Sequence, residues 1–265
     1  KKRCFVVKLT GESIDLKFGS KKILRDISLE VPYEKISVII GPNGSGKSTL
    51  LKTLARILKP NQGNVLLDGK DINRSSSKEI AQKLSLMPQS PSSPEDITVR
   101  DLVFFGRHPH QGAFSRNTKK DADAVDRALV LTKLESLEKR FLHQLSGGQR
   151  QRAWLAMALA QETDVILLDE PTTYLDLHYQ FEILDLLKIL NLEKKLTVMM
   201  VLHDLNLASL YGDYLFVVNE GKLHAEGKPE ECLSKGLLED VFKVQVHEAM
   251  TTRGKPQFIF SSNVH

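Results

Sequence analysis

The N-terminal part of the chain alternates between hydrophobic and polar residues as β-strands do. Residues 13–18 have a period of two, with the apolar side chains on one face. Residues 27–31 repeat this pattern and stop at Pro32. The two stretches predict an antiparallel edge joined by a turn at 19–22. The run at 36–40 is almost continuously apolar, which is typical of a strand buried on both faces.

Further along, apolar runs alternate with stretches of helical periodicity. Residues from about 95 to 160 are mostly helical in pattern, and the Pro/Ser-rich stretch 90–94 before them is typical of a boundary loop. Because strands separated by helical crossovers form parallel sheets, we expect an α/β fold with a parallel sheet, an antiparallel β subdomain on its N-terminal side and a helical insertion lobe. The other predicted elements are strands at 65–67, 84–87, 165–168, 197–202, 244–249 and 257–260, and helices at 49–55 and about 178–191.

Composition and charge fit a globular protein of this class. The 265 residues are 41% hydrophobic and 26% charged, which excludes a disordered chain. No apolar stretch approaches the ~18 residues that a membrane-spanning helix needs. A net charge of +4 is too small to indicate a nucleic-acid surface. Two distant cysteines, Cys4 and Cys232, predict reduced thiols rather than a disulfide framework or a zinc site.

A glycine-rich loop follows the buried strand at 36–40 and matches the pattern G-x-x-x-x-G-K-[ST]. Its glycines let backbone N–H groups surround a phosphate, and the following helix adds partial positive charge. In this chemistry Lys47 reaches the β- and γ-phosphate oxygens, and the Ser48 hydroxyl ligates Mg²⁺. The loop therefore predicts a nucleotide site formed by Gly41, Pro42, Asn43, Gly44, Ser45, Gly46, Lys47, Ser48 and Thr49.

Two carboxylates end the strand predicted at 165–168. Asp169 can face the Mg²⁺ shell, while Glu170 points the other way and can polarise an attacking water. Many strands end in acidic residues at the surface, so the pair gains its meaning from the phosphate loop in the same predicted sheet. Taken together, these two motifs still fit a kinase, a GTPase or a helicase.

The segment Leu145-Ser146-Gly147-Gly148-Gln149 separates these possibilities. It places a hydroxyl and glycine amides at the start of a predicted helix, which is a second anion-binding arrangement. A helix cap alone would account for Ser146 but not for the two glycines. Since the phosphate loop already supplies one helix N-terminus, we expect Ser146, Gly147, Gly148 and Gln149 to face the γ-phosphate of a nucleotide on another subunit.

With these motifs the chain resembles the ATP-binding subunit of ABC transporters over nearly its whole length. The resemblance implies ATP and Mg²⁺ as cofactors and a head-to-tail homodimer with two ATP molecules at its interface. It also implies one ABC ATPase domain, 1–265. Its nucleotide-binding core would be 1–89 and 161–226, its helical lobe 90–160 and its C-terminal extension 227–265, which we expect to pack on the core.

The resemblance also implies roles for single residues. Glu170 would orient the attacking water, while Lys47 and His203 hold the γ-phosphate. Phe18 lies where the family has an aromatic residue, often Tyr, that stacks on adenine, and Phe keeps the stacking face. Asp204 is expected to cap the helix that follows His203. The remaining assignments are Gln89 beside Mg²⁺ and the membrane subunit, Ser48 and Asp169 as further metal ligands, and Asp176 in the dimer-bridging turn.

Two segments resemble the importers of ferric siderophores, haem and vitamin B12. They are Gly106-Arg107-His108-Pro109-His110 and the stretch 170–176, which has Thr173-Tyr174 where many ABC subunits have small residues. The resemblance implies a bacterial ATPase at the cytoplasmic face of the membrane. It would power uptake of an iron-siderophore chelate through permease subunits, indirectly with a substrate-binding protein and without nucleic acid. For His108 and His110, with no carboxylate or Cys nearby, a surface or subunit-contact role is favoured over a metal site.

Two alternatives remain open at this point. One is import of another solute, such as manganese, zinc, haem or vitamin B12. The other is a soluble ATPase of iron–sulfur assembly, which would bind soluble partners. DNA-acting members of the family need long coiled-coil insertions, and this chain has no such heptad stretch.

Overall fold

The computed structural model describes residues 8–89, 96–112, 118–173, 175–250 and 256–261. Cys4, Tyr174 and the boundary loop predicted at 90–94 lie outside the described residues. The chain forms two compact units, and each of them combines strands with helices. The first unit is Lys1–Arg74 with Thr197–His265, and the second is Ser75–Leu196.

The described strands and helices follow one another in mixed order. The strands are β1 (Leu9–Phe18), β2 (Lys21–Val31), β3 (Ile36–Ile40), β4 (Gln62–Leu67), β5 (Lys70–Asp71), β6 (Leu84–Met87), β7 (Val165–Asp169), β8 (Thr197–Val201), β9 (Tyr214–Asn219), β10 (Lys222–Gly227), β11 (Gln245–Met250) and β12 (Pro256–Ser261). The helices are α1 (Lys47–Leu54), α2 (Ser77–Ala81), α3 (Val99–Phe105), α4 (Lys119–Leu131), α5 (Gly147–Ala160), α6 (Leu177–Lys194), α7 (Leu205–Tyr211), α8 (Pro229–Cys232) and α9 (Lys235–Phe242). Short 3₁₀ turns lie at His108–His110, Glu135–Leu137 and Leu142–Gln144.

The first unit contains an antiparallel sheet in the order β2-β1-β4-β5. The antiparallel pairing of β1 with β2 is confirmed, and it places Ile14 opposite Ile27. β1 begins earlier than the alternation predicts because the register shifts between Gly11 and Ile14, where Ser13 has φ +45°. Such a bulge interrupts the period of two, and the alternation therefore becomes visible only beyond it.

The same unit contains a parallel arrangement in which β3 lies between β8 and β9. Every residue of β3 is buried, as its continuous apolar run predicts. β10 then pairs antiparallel with β9. The sequence analysis did not predict β9 or β10. Their signal is the pair Glu220-Gly221, whose positive φ angles of +48° and +76° are typical of a two-residue hairpin turn.

The second unit combines the parallel pair β6 and β7 with the predicted helices. α3, α4 and α5 pack on one another, which confirms the helical character of the insertion. The mixed α/β class with parallel and antiparallel sheets is likewise confirmed. The bounds 1–89, 90–160, 161–226 and 227–265 stay predictions. In the part of the chain that the structure describes, no helix combines the length and the apolar composition needed to cross a bilayer.

The C-terminal part ends in an antiparallel hairpin of β11 and β12, close to the predicted positions. Val246 and Phe258 bury their side chains, and β12 packs against α7. The packing expected for the C-terminal extension is therefore observed for these strands. Cys232, in α8, is a free and buried thiol, and burial raises its pKa to about 11.

Candidate nucleotide-binding site

The phosphate loop lies between β3 and α1 in the first unit. Lys47, the first residue of α1, is buried, and its Nζ donates to the carbonyl oxygens of Gly41 and Pro42, both at 2.9 Å. The ammonium group is thereby held against the loop's own backbone instead of reaching into solvent. A buried cation at a helix N-terminus is the charge arrangement that attracts phosphate oxygens.

The glycines of the loop meet two steric demands. A Cβ at Gly41 would lie 2.0 Å from the carbonyl oxygen of Val218, so only glycine fits against β9 there. Gly46 has φ +107° and is the N-cap of α1, where it supplies no side-chain acceptor to the first turn.

Ser45 Oγ is buried and has no hydrogen-bond partner among the described residues. A phosphate would provide the acceptor that this hydroxyl and the first-turn N–H groups need, so the loop fits a nucleotide.

Two further predicted residues of the first unit lie at exposed positions. Phe18 ends β1 with 54% of its surface exposed, which leaves the ring accessible to a planar base. His203 is exposed in the short link between β8 and α7. The expected capping by Asp204 is confirmed, since its Oδ1 accepts from the backbone N–H groups of Asn206 at 2.7 Å and Leu207 at 3.0 Å.

In the second unit, β7 ends in the two predicted carboxylates. Asp169 is fully buried, and Glu170 is 7% exposed with φ +56°, a strained conformation that is uncommon outside glycine. Gln89 Nε2 donates to Glu170 Oε2 at 2.5 Å, and Thr173 Oγ1 donates to the same oxygen at 3.0 Å. The fold thus brings Gln89 and Glu170 together. The sequence analysis named Thr173 as part of a segment but missed its contact with Glu170.

The segment at 145–149 starts α5. Ser146 Oγ accepts from the backbone N–H of Gln149 at 3.3 Å, and Gln149 Oε1 accepts from the Ser146 N–H at 3.1 Å, which forms a capping box. A Cβ on Gly147 would meet nothing within 4 Å. A Cβ on Gly148 would lie 3.3 Å from the ring of Tyr179. Packing among the residues that the structure describes therefore favours glycine at 148, and it gives no reason for glycine at 147.

Tyr179 joins two predicted site segments, and the sequence analysis missed it. Its ring packs on Gly148, and the guanidinium carbon of Arg152 lies 5.5 Å from the ring centroid. Its backbone N–H donates at 3.1 Å to Asp176 Oδ1, so Asp176 caps α6. The sequence held only a weak indication of these contacts. Gly148 and Arg152 are four residues apart on α5 and therefore share a helix face, on which one side chain can pack against both.

Arg107 belongs to the segment 106–110 and is a buried structural residue, with 1% of its surface exposed. Its Nε donates to Asp121 Oδ1 at 3.0 Å, and its Nη1 donates to Ala160 O at 2.6 Å and to Glu162 Oε2 at 3.0 Å. The nearby His110 Nε2 lies 2.7 Å from Gln161 O, within hydrogen-bond distance. The segment thus fixes the helical part of the second unit around Arg107.

The sequence model of ABC transporters matches residues 24–173, which is more than half of the chain. A relative is 50% identical over 89% of this chain and 86% of its own length, and it is the probable siderophore transport system ATP-binding protein YusV of Bacillus subtilis (strain 168). The chain belongs to the ABC transporter family. The predicted family is therefore confirmed.

Solved ABC transporter structures agree with this assignment. One, assigned to the metal-chelate type and in an inward-facing conformation, has a TM-score of 0.83 and 28% identity over 97% of this chain and 98% of that chain. The ATP-binding cassette MJ0796, a dimer in a post-hydrolysis state with ADP and Pi, has a TM-score of 0.73 and 28% identity over 83% of this chain and 98% of that chain. As an ABC ATP-binding chain, the protein is a nucleotide-binding ATPase coupled to transport.

Proposed function

We propose that this ATPase drives the import of a ferric siderophore through a membrane permease and acts at the cytoplasmic face of the membrane. The substrate class is supported by the siderophore transport relative and by the likeness to a metal-chelate type transporter. The segments 106–110 and 170–176 support the same class. The likeness to a siderophore transport protein disfavours a soluble iron–sulfur assembly ATPase.

The observation that carries the mechanism is the hydrogen bond between Gln89 and Glu170. Glu170 is the acceptor for a side-chain amide and for the Thr173 hydroxyl, so its carboxylate has a defined direction in a nearly dry environment. A carboxylate held in this way can accept a proton from water as that water attacks a phosphorus atom. The family resemblance assigns Gln89 to the permease contact. A shift of Gln89 would therefore disturb the hydrogen bond that holds Glu170, the residue proposed to orient the water.

Four groups of the first unit would hold the nucleotide. The ammonium of Lys47 and the hydroxyl of Ser45 would bind phosphate oxygens, since both lie in the loop that approaches them. The exposed ring of Phe18 would stack on adenine. His203 would donate a hydrogen bond to the γ-phosphate, a contact that ends when that phosphate leaves.

The residues that would hold Mg²⁺ are Ser48, Gln89 and Asp169. Hydroxyl, amide and carboxylate oxygens are the ligands that this ion prefers, and the full burial of Asp169 suits a carboxylate that faces a cation. When bound, the ion would offset the negative charge of the phosphate oxygens. Lys47 and the loop N–H groups contribute positive charge of their own to the same oxygens.

Gly147 supports a site completed by a second copy of the chain. No described residue of its own chain requires a glycine there, while its exposed position at the start of α5 leaves room for close approach by a ligand. A head-to-tail homodimer would place Ser146, Gly147, Gly148 and Gln149 against the γ-phosphate held by the other protomer. The related cassette MJ0796 is dimeric with ADP and Pi.

Replacement of Glu170 by Gln tests the catalytic assignment. The amide keeps the volume of the side chain but cannot accept a proton, so we expect steady-state ATP hydrolysis to fall by about 100-fold or more while ATP binding is retained. Phosphate release and titration with a fluorescent ATP analogue measure the two quantities. The control is Glu193→Gln on the exposed side of α6, which should hydrolyse ATP normally. Hydrolysis above a tenth of the native rate in Glu170→Gln would contradict the assignment.

The transport assignment is tested in iron-limited cells that carry Glu170→Gln in place of the native residue. We expect uptake of radiolabelled iron from one or a few siderophores to be lost and to be restored by the native chain. A panel that includes haem, vitamin B12, manganese and zinc distinguishes the other solutes. Unchanged uptake of every iron chelate would overturn the proposed substrate class and leave the ATPase assignment in place.

A further inference from the structure

The C-terminal hairpin is attached to the helix that follows His203. Asn206, in the first turn of α7, donates from Nδ2 to the carbonyl oxygen of Phe258 at 3.0 Å and accepts the N–H of Phe258 at 2.7 Å through Oδ1. One side-chain amide thereby satisfies both backbone groups of a residue in β12, as a neighbouring strand would. Both partners lie in the first unit.

The hairpin is fixed well enough to serve as an anchor. Val246 in β11 is 1% exposed and Phe258 in β12 is 2% exposed, so both strands contribute a buried apolar side chain. The N–H of Val246 also donates to Glu239 Oε1 in α9 at 3.2 Å. The hairpin therefore contacts α9 through β11 and α7 through β12.

His203 lies between a fixed strand end and the start of α7. Leu202 N donates to Ile39 O at 3.2 Å, which fixes the end of β8 beside β3. The side chain of Asp204 accepts hydrogen bonds from the first turn of α7 and caps that helix. The position of the His203 backbone therefore depends on where the first turn of α7 lies. α7 has only seven residues, and so short a helix depends on tertiary contacts for its position.

We propose that Asn206 and the C-terminal hairpin position His203 for ATP hydrolysis. Asn206 is a positioning residue: its amide ties the first turn of α7 to Phe258, and that turn sets the location of the histidine. The inference rests on the role proposed for His203 at the γ-phosphate. It gives the C-terminal hairpin a part in the reaction through a contact that is 52 residues apart in sequence.

The test compares Asn206→Leu with the native chain at full length. Leu has a similar volume but makes neither hydrogen bond, so we expect kcat for ATP hydrolysis to fall by about tenfold. KM for ATP should change by less than twofold, because the loop around Lys47 is untouched. Asn206→Gln keeps an amide that can both donate to and accept from the backbone of Phe258, so it should lose less of kcat than Asn206→Leu. If Asn206 had only a structural role, its replacement would lower the fraction of folded, active protein. It would not produce a graded series of kcat values among variants with equal Tm.

Two further variants keep the proposal falsifiable if Asn206→Leu folds poorly. Phe258→Ala removes the ring that seats the hairpin, and it should lower kcat in the same direction. Combined with Asn206→Gln it should lower kcat no further than the stronger single variant, since both act through one attachment. Additive losses of kcat would show that Asn206 and Phe258 act independently, and they would overturn the proposal.

Hydrogen exchange and the variant His203→Ala distinguish the positioning role of Asn206 from the role proposed for His203 at the γ-phosphate. Release of the hairpin should speed amide exchange in β12 and in the first turn of α7. If exchange rises there while kcat and KM stay native, the positioning role is overturned although the site assignment stands. If His203→Ala hydrolyses ATP at the native rate, the role proposed for the histidine fails instead.

Discussion

At the scale of single residues, the phosphate loop shows how backbone geometry selects residue type. Gly41 lies too close to the Val218 carbonyl for any side chain, and Lys47 is held by two carbonyl oxygens of its own loop. The contacts of Lys47 lie within the loop, so the motif predicts them well, whereas the steric demand on Gly41 comes from β9, which is distant in sequence. For Gly148 the ring of Tyr179, on another helix, would lie 3.3 Å from an added Cβ, a tight contact that favours glycine. The sequence analysis could assign Gly148 only to phosphate binding.

Lys47→Ala should weaken ATP binding by at least about tenfold. The substitution removes the one side-chain cation that the loop holds against its backbone, and a charge-assisted contact is among the stronger hydrogen bonds. Titration with a fluorescent ATP analogue measures the dissociation constant. Lys52→Ala, in the last turn of the same helix, is the matched control and should bind ATP normally. Equal affinity in the two variants would contradict the role of Lys47.

At the scale of elements, one buried guanidinium organises the helical part of the second unit. Arg107 follows α3 and bonds Asp121 in α4 and the carbonyl of Ala160 at the end of α5. The sequence predicts the helices from their periodicity, since apolar positions repeat locally. It could not predict that an arginine would be buried among them, because the partners are 14 and 53 residues away.

Arg107→Met should lower the free energy of unfolding by about 3–5 kcal/mol, because it leaves the buried Asp121 without its cation. The control is Arg127→Met. Arg127 also pairs with Glu162 but is half exposed, and its loss should cost no more than about 1 kcal/mol. Urea unfolding followed by fluorescence of Trp154, the single tryptophan, measures both variants. Equal losses would contradict the structural role of Arg107.

Asp121 should make the protein sensitive to acid. The hydrogen bond from the Thr118 hydroxyl lowers the pKa of Asp121, burial opposes this, and the bond from Arg107 lowers the pKa further. Its contribution to stability is therefore complete above the ordinary pKa of about 4 and is lost as the pH falls through the lower folded-state value.

The native chain should accordingly exceed Asp121→Asn in unfolding free energy at neutral pH, and the difference should shrink below about pH 4. Urea unfolding of both chains across this range measures it. A difference that stays constant down to about pH 3 would show that the carboxylate is not held in its charged form by Thr118 and Arg107.

At the scale of the whole molecule, the predicted site residues are shared between two units. The first unit carries Phe18, the phosphate loop and His203, and the second carries Gln89, Asp169, Glu170, Asp176 and the start of α5. The proposed second protomer would add another copy of each set. Assembly is expected to depend in part on Gly147, an exposed residue at which an added Cβ would meet nothing within 4 Å among the described residues.

Gly147→Leu tests this expectation. Because a Cβ at Gly147 meets nothing within 4 Å, the unfolding free energy should change by no more than about 0.5 kcal/mol. In a Glu170→Gln background, ATP should no longer produce a dimer, because the side chain would occupy the space of the approaching nucleotide. Gly236→Leu, in the first turn of α9 with equally open surroundings, is the matched control and should still dimerise. Light scattering with and without ATP measures the outcome.

The parts of this protein that could be predicted from the sequence are those whose interactions are local. β3, the phosphate loop and α1 are contiguous, so hydrophobic periodicity and the motif were sufficient for them. The same holds for the acids that end β7. The folded structure was needed to find three contacts, those of Gln89 with Glu170, of Arg107 with Asp121 and of Asn206 with Phe258. The partners in these pairs are separated by 14 to 81 residues, and a local pattern carries no information on which distant groups the folded chain brings within hydrogen-bond distance.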